Sequence, residues 1–393
     1  MPILSRWVSR VWPIALVVGL AAPGRAETLY VSEQDGGAGG LLVVDSSAPP
    51  TLQFGNPISG LQPGEGLAGI AVRPSTGTLY GVGSTSRLYT VQPGTGAATP
   101  IGSAPFAPAL QGTQFGMHFD PVSDRLRVVS DTGQNLLIDP IGGGVASVGA
   151  SLAYAVGDPH FGATPRITAL AYSPNDPFAT SATAYGIDLN TGALVRLGSP
   201  DPADGTLHTV GIPNPDGGQA AGPADGFDVS RVSGIAYALH PGFTPALVTI
   251  DLTTGLPSFL GSIGGQFTFF NGLAVAPECQ PDDSAMCLGN DRFRVTATFD
   301  SGTSGSGNAH TSPITRDTGY LWFFSAANVE AVVKVLNGCS VNGRYWVFAG
   351  GLTNVKVDLT ITDMANGTSK VYHNPQGTAF QPIQDTSAFA TCP

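Results

Sequence analysis

Glu65, His118, Asp120, Asp225 and Asp228 are the side chains of this sequence best suited to move protons, and all five lie in or beside short apolar segments that recur along the chain. Two carboxyl groups facing across a glycosidic bond would make a glycosidase, one acting as acid and the other as base or nucleophile. A carboxylate or imidazole at the mouth of a pocket serves equally as a polar handle that orients a ligand without reacting with it. Asn271, able both to donate and to accept, joins the set on that second view. Only two of the recurring segments carry a carboxylate inside or at their end, which favours binding over catalysis and leaves a glycosidase-like hydrolase as the alternative.

Other chemistry is poorly spelled. The chain contains no HExxH, GxSxG, Walker loop or CxxC, and its six histidines are scattered at 118, 160, 208, 240, 310 and 373. The glycine-rich SGTSGSG at 301–307 reads as a turn, because no helix follows to complete a phosphate cradle. Asp120, Asp124, Asp131 and Asp139 supply clustered oxygens of the kind calcium prefers. Arg125 and Arg127 beside them would compete as partners and are expected to project outward, their stems against a neighbouring unit. No metal and no cofactor is therefore expected.

The elements that must position these residues are strands. Gly (53) and Pro (32) punctuate the chain, and short runs such as TLYGVG and ALVTIDL are rich in β-branched and aromatic residues, so the protein reads as all-β. GIAV (69), GMHF (116), ALAY (169), GFDV (226) and GLAV (272) recur about fifty residues apart. Four of them are followed by three further strand-like segments, while GLAV has none left. The missing three stand at the other end, as LYVSEQ (29), LLVVD (41) and TLQFG (51). Joining the two ends predicts a five-bladed β-propeller, a ring in which each four-stranded blade buries its faces only against its neighbours. Six or seven blades, with extra strands in the loop-rich 146–168 and 199–224 segments, or a sandwich, are the alternatives.

FGMHFDPVSDRLRVVSDTGQNLLIDP (115–140) aligns without a gap on AGIAVRPSTGTLYGVGSTSRLYTVQP (68–93), so its charges fall mainly at the turns DPVSD and SDTGQN. With GLAGIAVRPSTGTLYGVGSTSRLYTVQPGTGAATPIG before it and DGTLHTVG after, it resembles the bacterial exported family catalogued as domain of unknown function 4394, over about residues 28–276. That resemblance implies a propeller-like repeat domain and no established activity. The segment DTGYLWFFSAANVEAVVKVLNGCSVNGRYWVFAGGLTNVKVDLTITD resembles a module found at the C-termini of many exported bacterial proteins, over about 283–393.

Composition divides the chain in the same place. All four cysteines lie in the last third, and an even number in an exported chain implies disulfides. Of the three possible pairings, Cys279 with Cys287 and Cys339 with Cys392 is preferred. Six or seven strands with clear alternation, as in KVDLTITD, predict an antiparallel β-sandwich over 291–393, with Trp322 and Trp346 in its core. Residues 277–290 read as a linker and 27–276 as the propeller. Phe267, Phe269, Phe270 and Asn271 precede or open the last recurring strand and form either an aromatic lip or a core extension.

Residues 1–26 read as a signal peptide, with Arg6 and Arg10, the apolar WPIALVVGLAA and the small-x-small site Gly24-Arg25-Ala26. Cleavage after Ala26 would leave 14 of the 17 basic residues against 28 acidic ones, a net charge of −14. That excludes a nucleic-acid partner, which needs a basic face. The expected product is a secreted or periplasmic monomer with no integral membrane segment, partnered by a small molecule, a glycan or a protein.

Overall fold

A computed structural model describes residues 26–34, 39–49, 52–198, 201–210, 224–242, 244–264, 268–302 and 304–392. The expected signal peptide, but for Ala26, and Phe267 lie outside them. The described chain is built of strands, with one helix of four residues and one short 3-10 turn.

Each recurring set of segments forms one antiparallel sheet. Sheet one comprises Leu67–Val72, Leu79–Gly83, Arg87–Gln92 and Ala97–Ile101, and sheet two Phe115–Asp120, Arg125–Ser130, Asn135–Ile138 and Val145–Val148. Sheet three comprises Ile167–Ser173, Thr183–Asp188, Leu194–Leu197 and Thr206–Thr209, with Ala153–Tyr154 added in parallel at its outer edge. Sheet four comprises Gly226–Val229, Ala236–His240, Ala246–Ile250 and Pro257–Ser262. Sheet five joins distant parts of the chain: Phe269–Val275 pairs with Thr28–Gln34, followed by Gly40–Asp45 and Leu52–Pro57.

The first strands of the five sheets touch one another in cyclic order, one to five and back to one. The glycine that opens the recurring segment explains how they approach so closely. A Cβ on Gly116 would stand 2.7 Å from the Ala169 backbone, and one on Gly226 2.6 Å from the Leu273 nitrogen. Between every two neighbouring sheets lies an apolar cluster. Tyr80 and Val82 of sheet one pack with Phe119 and Leu126 of sheet two, and Tyr237 and Leu239 of sheet four with Leu29 and Val31 of sheet five. Each sheet thus buries its faces against its neighbours, which favours a closed ring.

Polar ties reinforce the apolar ones. Arg73 donates to Asp124, whose φ of 54° fits the left-handed turn of DPVSD, and so ties sheet one to sheet two. Arg127 does not project outward: it is 3% exposed, and its guanidinium donates to the Tyr172 hydroxyl of sheet three (2.7 Å) and to Asn135 Oδ1 (2.7 Å). Its place on the same face as His118, directly across the strand pair, turns it into the sheet interface. Arg125 is exposed.

Beyond the ring, ten strands form two sheets around one core. Sheet six holds Ala285–Leu288, Phe293–Asp300, Ser306–Asn308, Lys356–Asp363 and Thr368–Asn374, and sheet seven His310–Thr315, Thr318–Trp322, Ala331–Gly338, Arg344–Gly351 and Ile383–Phe389. The first of these strands arises within the segment that reads as a linker. Alternation buries Leu321, Phe323, Tyr345 and Val347 and leaves Trp322 and Trp346 on the outer face, half-buried. The two tryptophans are thus not core residues: Trp322 stacks on His310 at 3.8 Å, and Trp346 lies over Gly338 and donates to Asn342. Cys279 is bonded to Cys287 and Cys339 to Cys392. The C-terminal sheets meet the ring through Arg231 with Asp291 (2.7 Å) and Arg316 with Asp176. Both ring residues lie just past the ends of first strands.

Candidate functional site: the mouth of the ring

All five first strands start at one end of the ring axis. There a cavity of about 500 Å³ opens, lined by the beginnings of these strands (Leu67, Phe115, Thr168, Asp225, Asn271) and by the residues where second strands leave (Ser84, Leu189, Pro241). The loop ahead of sheet two contributes Leu110, Thr113 and Gln114. Beneath it the axis narrows to about 10 Å³ where Gly116, Gly226 and Gly272 bring the strands together. The same glycines that build the ring therefore close the floor of the cavity.

The candidate residues separate along this axis. Asp225 and Asn271 line the cavity. Asn271 is held by bonds within the ring, accepting from Ser32 Oγ and donating to the Leu67 carbonyl. Asp225 is half-buried, its backbone N–H bonded to the Leu239 carbonyl, while its carboxyl has no hydrogen bond or ion pair among the described residues. Burial pushes its pKa up to about 6. Phe269, 63% exposed, also lines the cavity, whereas Phe270 is 5% exposed and packs with Leu29 and Leu273. The aromatic pair is split by strand alternation, one ring at the mouth and one mainly in the core.

His118 and Asp228 lie below the glycine floor, each 2% exposed. They belong to sheets two and four, which are not neighbours, and they meet across the axis with His118 Nε2 2.7 Å from Asp228 Oδ1. His118 Nδ1 is 2.8 Å from the Phe119 carbonyl, which only accepts. Asp228 also receives the N–H groups of Val229 (2.6 Å) and Val275 (2.7 Å). Acceptors at both ring nitrogens favour the imidazolium form of His118. Burial, the largest influence, pulls its pKa down, but the Asp228 charge and hydrogen bond outweigh it and the net shift is upward. The pair braces three sheets from inside.

Glu65 and Asp120 serve turns. Glu65 is 2% exposed and accepts from Gln62 N–H, Thr85 N–H and hydroxyl, and the Tyr89 hydroxyl. Burial works against its ionised form, and these bonds together hold its pKa below the usual range. Asp120 Oδ1 accepts from the Val122 N–H. The aspartates of the calcium pattern go to separate tasks, Asp124 to Arg73, Asp131 to Thr113 and Arg166, and Asp139 to the backbone of its own turn. Among the described residues no group of three or more His, Cys, Asp or Glu is gathered as for a metal ion.

The rim carries no motif in the sequence. Thr113 and Gln114 come from a loop without motif, and only the rule that loops ahead of first strands converge points to them. Nor does a motif mark Glu27, 3% exposed, which receives the hydroxyls of Ser230, Ser233 and Tyr237 and ties sheet four to the segment leading into sheet five.

A ring of repeated antiparallel sheets with a cavity at one end of its axis and a second β unit at the other places the chain among all-β, propeller-like repeat proteins. It belongs to the family described as Domain of unknown function (DUF4394), whose model matches residues 40–274. No curated protein matches the chain. Among solved structures, one described as YCF48 bound to D1 peptide is similar at 10% identity and a TM-score of 0.33, covering 77% of this chain and 90% of that one.

Proposed function

We propose that the ring is a five-bladed β-propeller followed by a β-sandwich module, and that the protein is an exported binding protein holding a small ligand, a glycan unit or a peptide end in the mouth cavity. The observation that carries this is the cavity itself, formed by all five first strands, with Asp225 as its one titratable lining residue among those described. Acid–base hydrolysis needs two groups in reach of one bond. Among the described lining residues Asp225 stands alone, and His118 and Asp228 are buried beneath the floor and bonded to each other. Two disulfides fit an oxidising compartment, and among the described residues no helix is long and apolar enough to cross a membrane.

A small-molecule and oligosaccharide library, screened by thermal shift on the purified chain, tests the assignment. A ligand at a hundredfold excess over its Kd should raise stability by about 2.7 kcal/mol. Ala68, next to Leu67 in the first strand of sheet one, also lines the cavity, and filling it by Ala68→Trp, or independently by Thr113→Trp at the exposed rim, should abolish the shift while the far-UV spectrum stays that of the parent. Stabilisation that survives both variants would move the site elsewhere.

A further inference from the structure

We propose, resting on the mouth-binding function above, that the cavity takes a small organic cation: an amine on a flat apolar body, its ammonium group seated on Asp225. The other acidic groups buried in the ring are all engaged. Glu27 holds Ser230, Ser233 and Tyr237, Glu65 holds Thr85 and Tyr89, Asp188 holds Tyr154 and backbone N–H groups, and Asp228 holds His118. Among the described residues, Asp225 is the single carboxyl that lines the cavity, and it has no partner there. A desolvated carboxylate without a partner gains most from a ligand that brings the missing positive charge.

The surroundings narrow the class of cation. Gln34, Ser84, Thr113 and Gln114 supply neutral donors and acceptors around the cavity, while Leu67, Leu110, Phe115, Leu189 and Phe269 supply apolar wall. One carboxylate among amides and hydroxyls falls short of the six to eight oxygens calcium takes. An ammonium carried on a ring or chain satisfies both halves of the lining, with Phe115 and Phe269 available for cation–π contact. Among the described residues no positive side chain lines the cavity, and Arg166, at the rim beside Gln114, is bonded to Asp131 (3.3 Å). Glu33 and His240, next to the lining residues Gln34 and Pro241, have interactions of their own. The excess of acidic over basic residues favours approach of a cation from a distance.

The pH dependence follows. Burial alone raises the Asp225 pKa, to about 6, so the group is ionised at neutral pH and protonated in mild acid. Amine affinity should rise with pH through this region and fall again only when the amine itself loses its proton.

Matched pairs differing only in charge provide the test: tryptamine against tryptophol, and phenethylamine against 2-phenylethanol, titrated calorimetrically into the full chain. At pH near 7.5 each amine should bind at least about tenfold more tightly than its alcohol, a difference of about 1.4 kcal/mol. In mild acid, near pH 4.5, the gap should close to within about twofold as Asp225 takes up its proton. Asp225→Asn should erase the gap at both pH values while the folded spectrum stays that of the parent. Equal binding of amine and alcohol, or an amine preference that survives Asp225→Asn, overturns the cation assignment while Ala68→Trp still reports whether the mouth is the site. Failure of every probe to bind also overturns it, and the library screen then judges the mouth separately.

Discussion

Asp225 and Asp228 stand three residues apart at the two ends of one short strand, and they show how differently the ring treats its mouth and its base. At the base, Asp228 is surrounded by donors from three sheets and paired with His118, and the C-terminal unit docks nearby through Arg231 and Asp291. At the mouth, Asp225 has lost water without gaining a partner among the described residues. Burial of a carboxylate is thus no sign of function by itself. The partners distinguish the two: Asp228 is part of the frame, and Asp225 is a carboxyl that faces a cavity and has no hydrogen-bond partner among the described residues.

Substitutions at the base should have the largest effect. Asp228→Ala should cost about 3–5 kcal/mol in denaturant unfolding, because it strands a buried imidazolium and two backbone N–H groups. Asp228→Asn should cost about 1–3 kcal/mol, since a neutral His118 can accept from the amide while one N–H group is left facing a donor. His118 sharpens the point through pH. Its folded pKa is raised above the 6.5 of the unfolded chain, so its stabilisation is complete below that value and is lost as pH rises through the folded pKa. His118→Gln should remove this alkaline decline, worth about 1.5–3 kcal/mol in unfolding curves taken across the range. A decline unchanged by the substitution would assign it to another group.

Next in size is the floor dividing the two ends. Gly226→Ala places a Cβ 2.6 Å from the Leu273 nitrogen, a backbone atom that cannot swing away. The expected loss is about 1–3 kcal/mol by thermal or chemical unfolding. Gly94→Ala, where a Cβ would meet nothing within 4 Å, should leave stability nearly unchanged. Equal effects at the two positions would mean that the floor is looser than its geometry indicates.

Much of the sheet arrangement was legible because it is written as a repeat. The opening glycine and the alternating apolar residues of GIAV, GMHF, GFDV and GLAV recur under one physical demand, close approach of first strands around an axis. The C-terminal unit is less legible in the sequence. Ala285–Leu288 and Ser306–Asn308 are too short to show a period, and His310–Thr315 and Ile383–Phe389 mix polar with apolar residues on mainly exposed faces. Trp322 and Trp346 were placed by residue type, but alternation with Leu321 and Val347 turns them outward. The candidate residues illustrate the remaining limit. Their positions at first strands could be read from the repeat, but the distinction between Asp225 and Asp228 depends on which strands cross the axis, and sheets two and four are joined by no local pattern.

The smallest effect tests the mouth directly and has the opposite sign. The folded pKa of Asp225 is raised to about 6 from 3.8, so ionising it costs stability that is present below about pH 4 and lost as pH rises through 6. Asp225→Asn removes the charge but keeps the shape, and should therefore stabilise the ligand-free protein above pH 6. Two pKa units would correspond to almost 3 kcal/mol, and partial exposure to solvent reduces this to about 1–2 kcal/mol. Below pH 4 the variant and the parent should unfold alike. A gain of this kind at the mouth, against a loss at Asp228, would separate a carboxylate kept for a ligand from one used to hold the ring together. A loss at both positions would mean that Asp225 is also a structural group, and would remove the physical basis for a cation at the mouth.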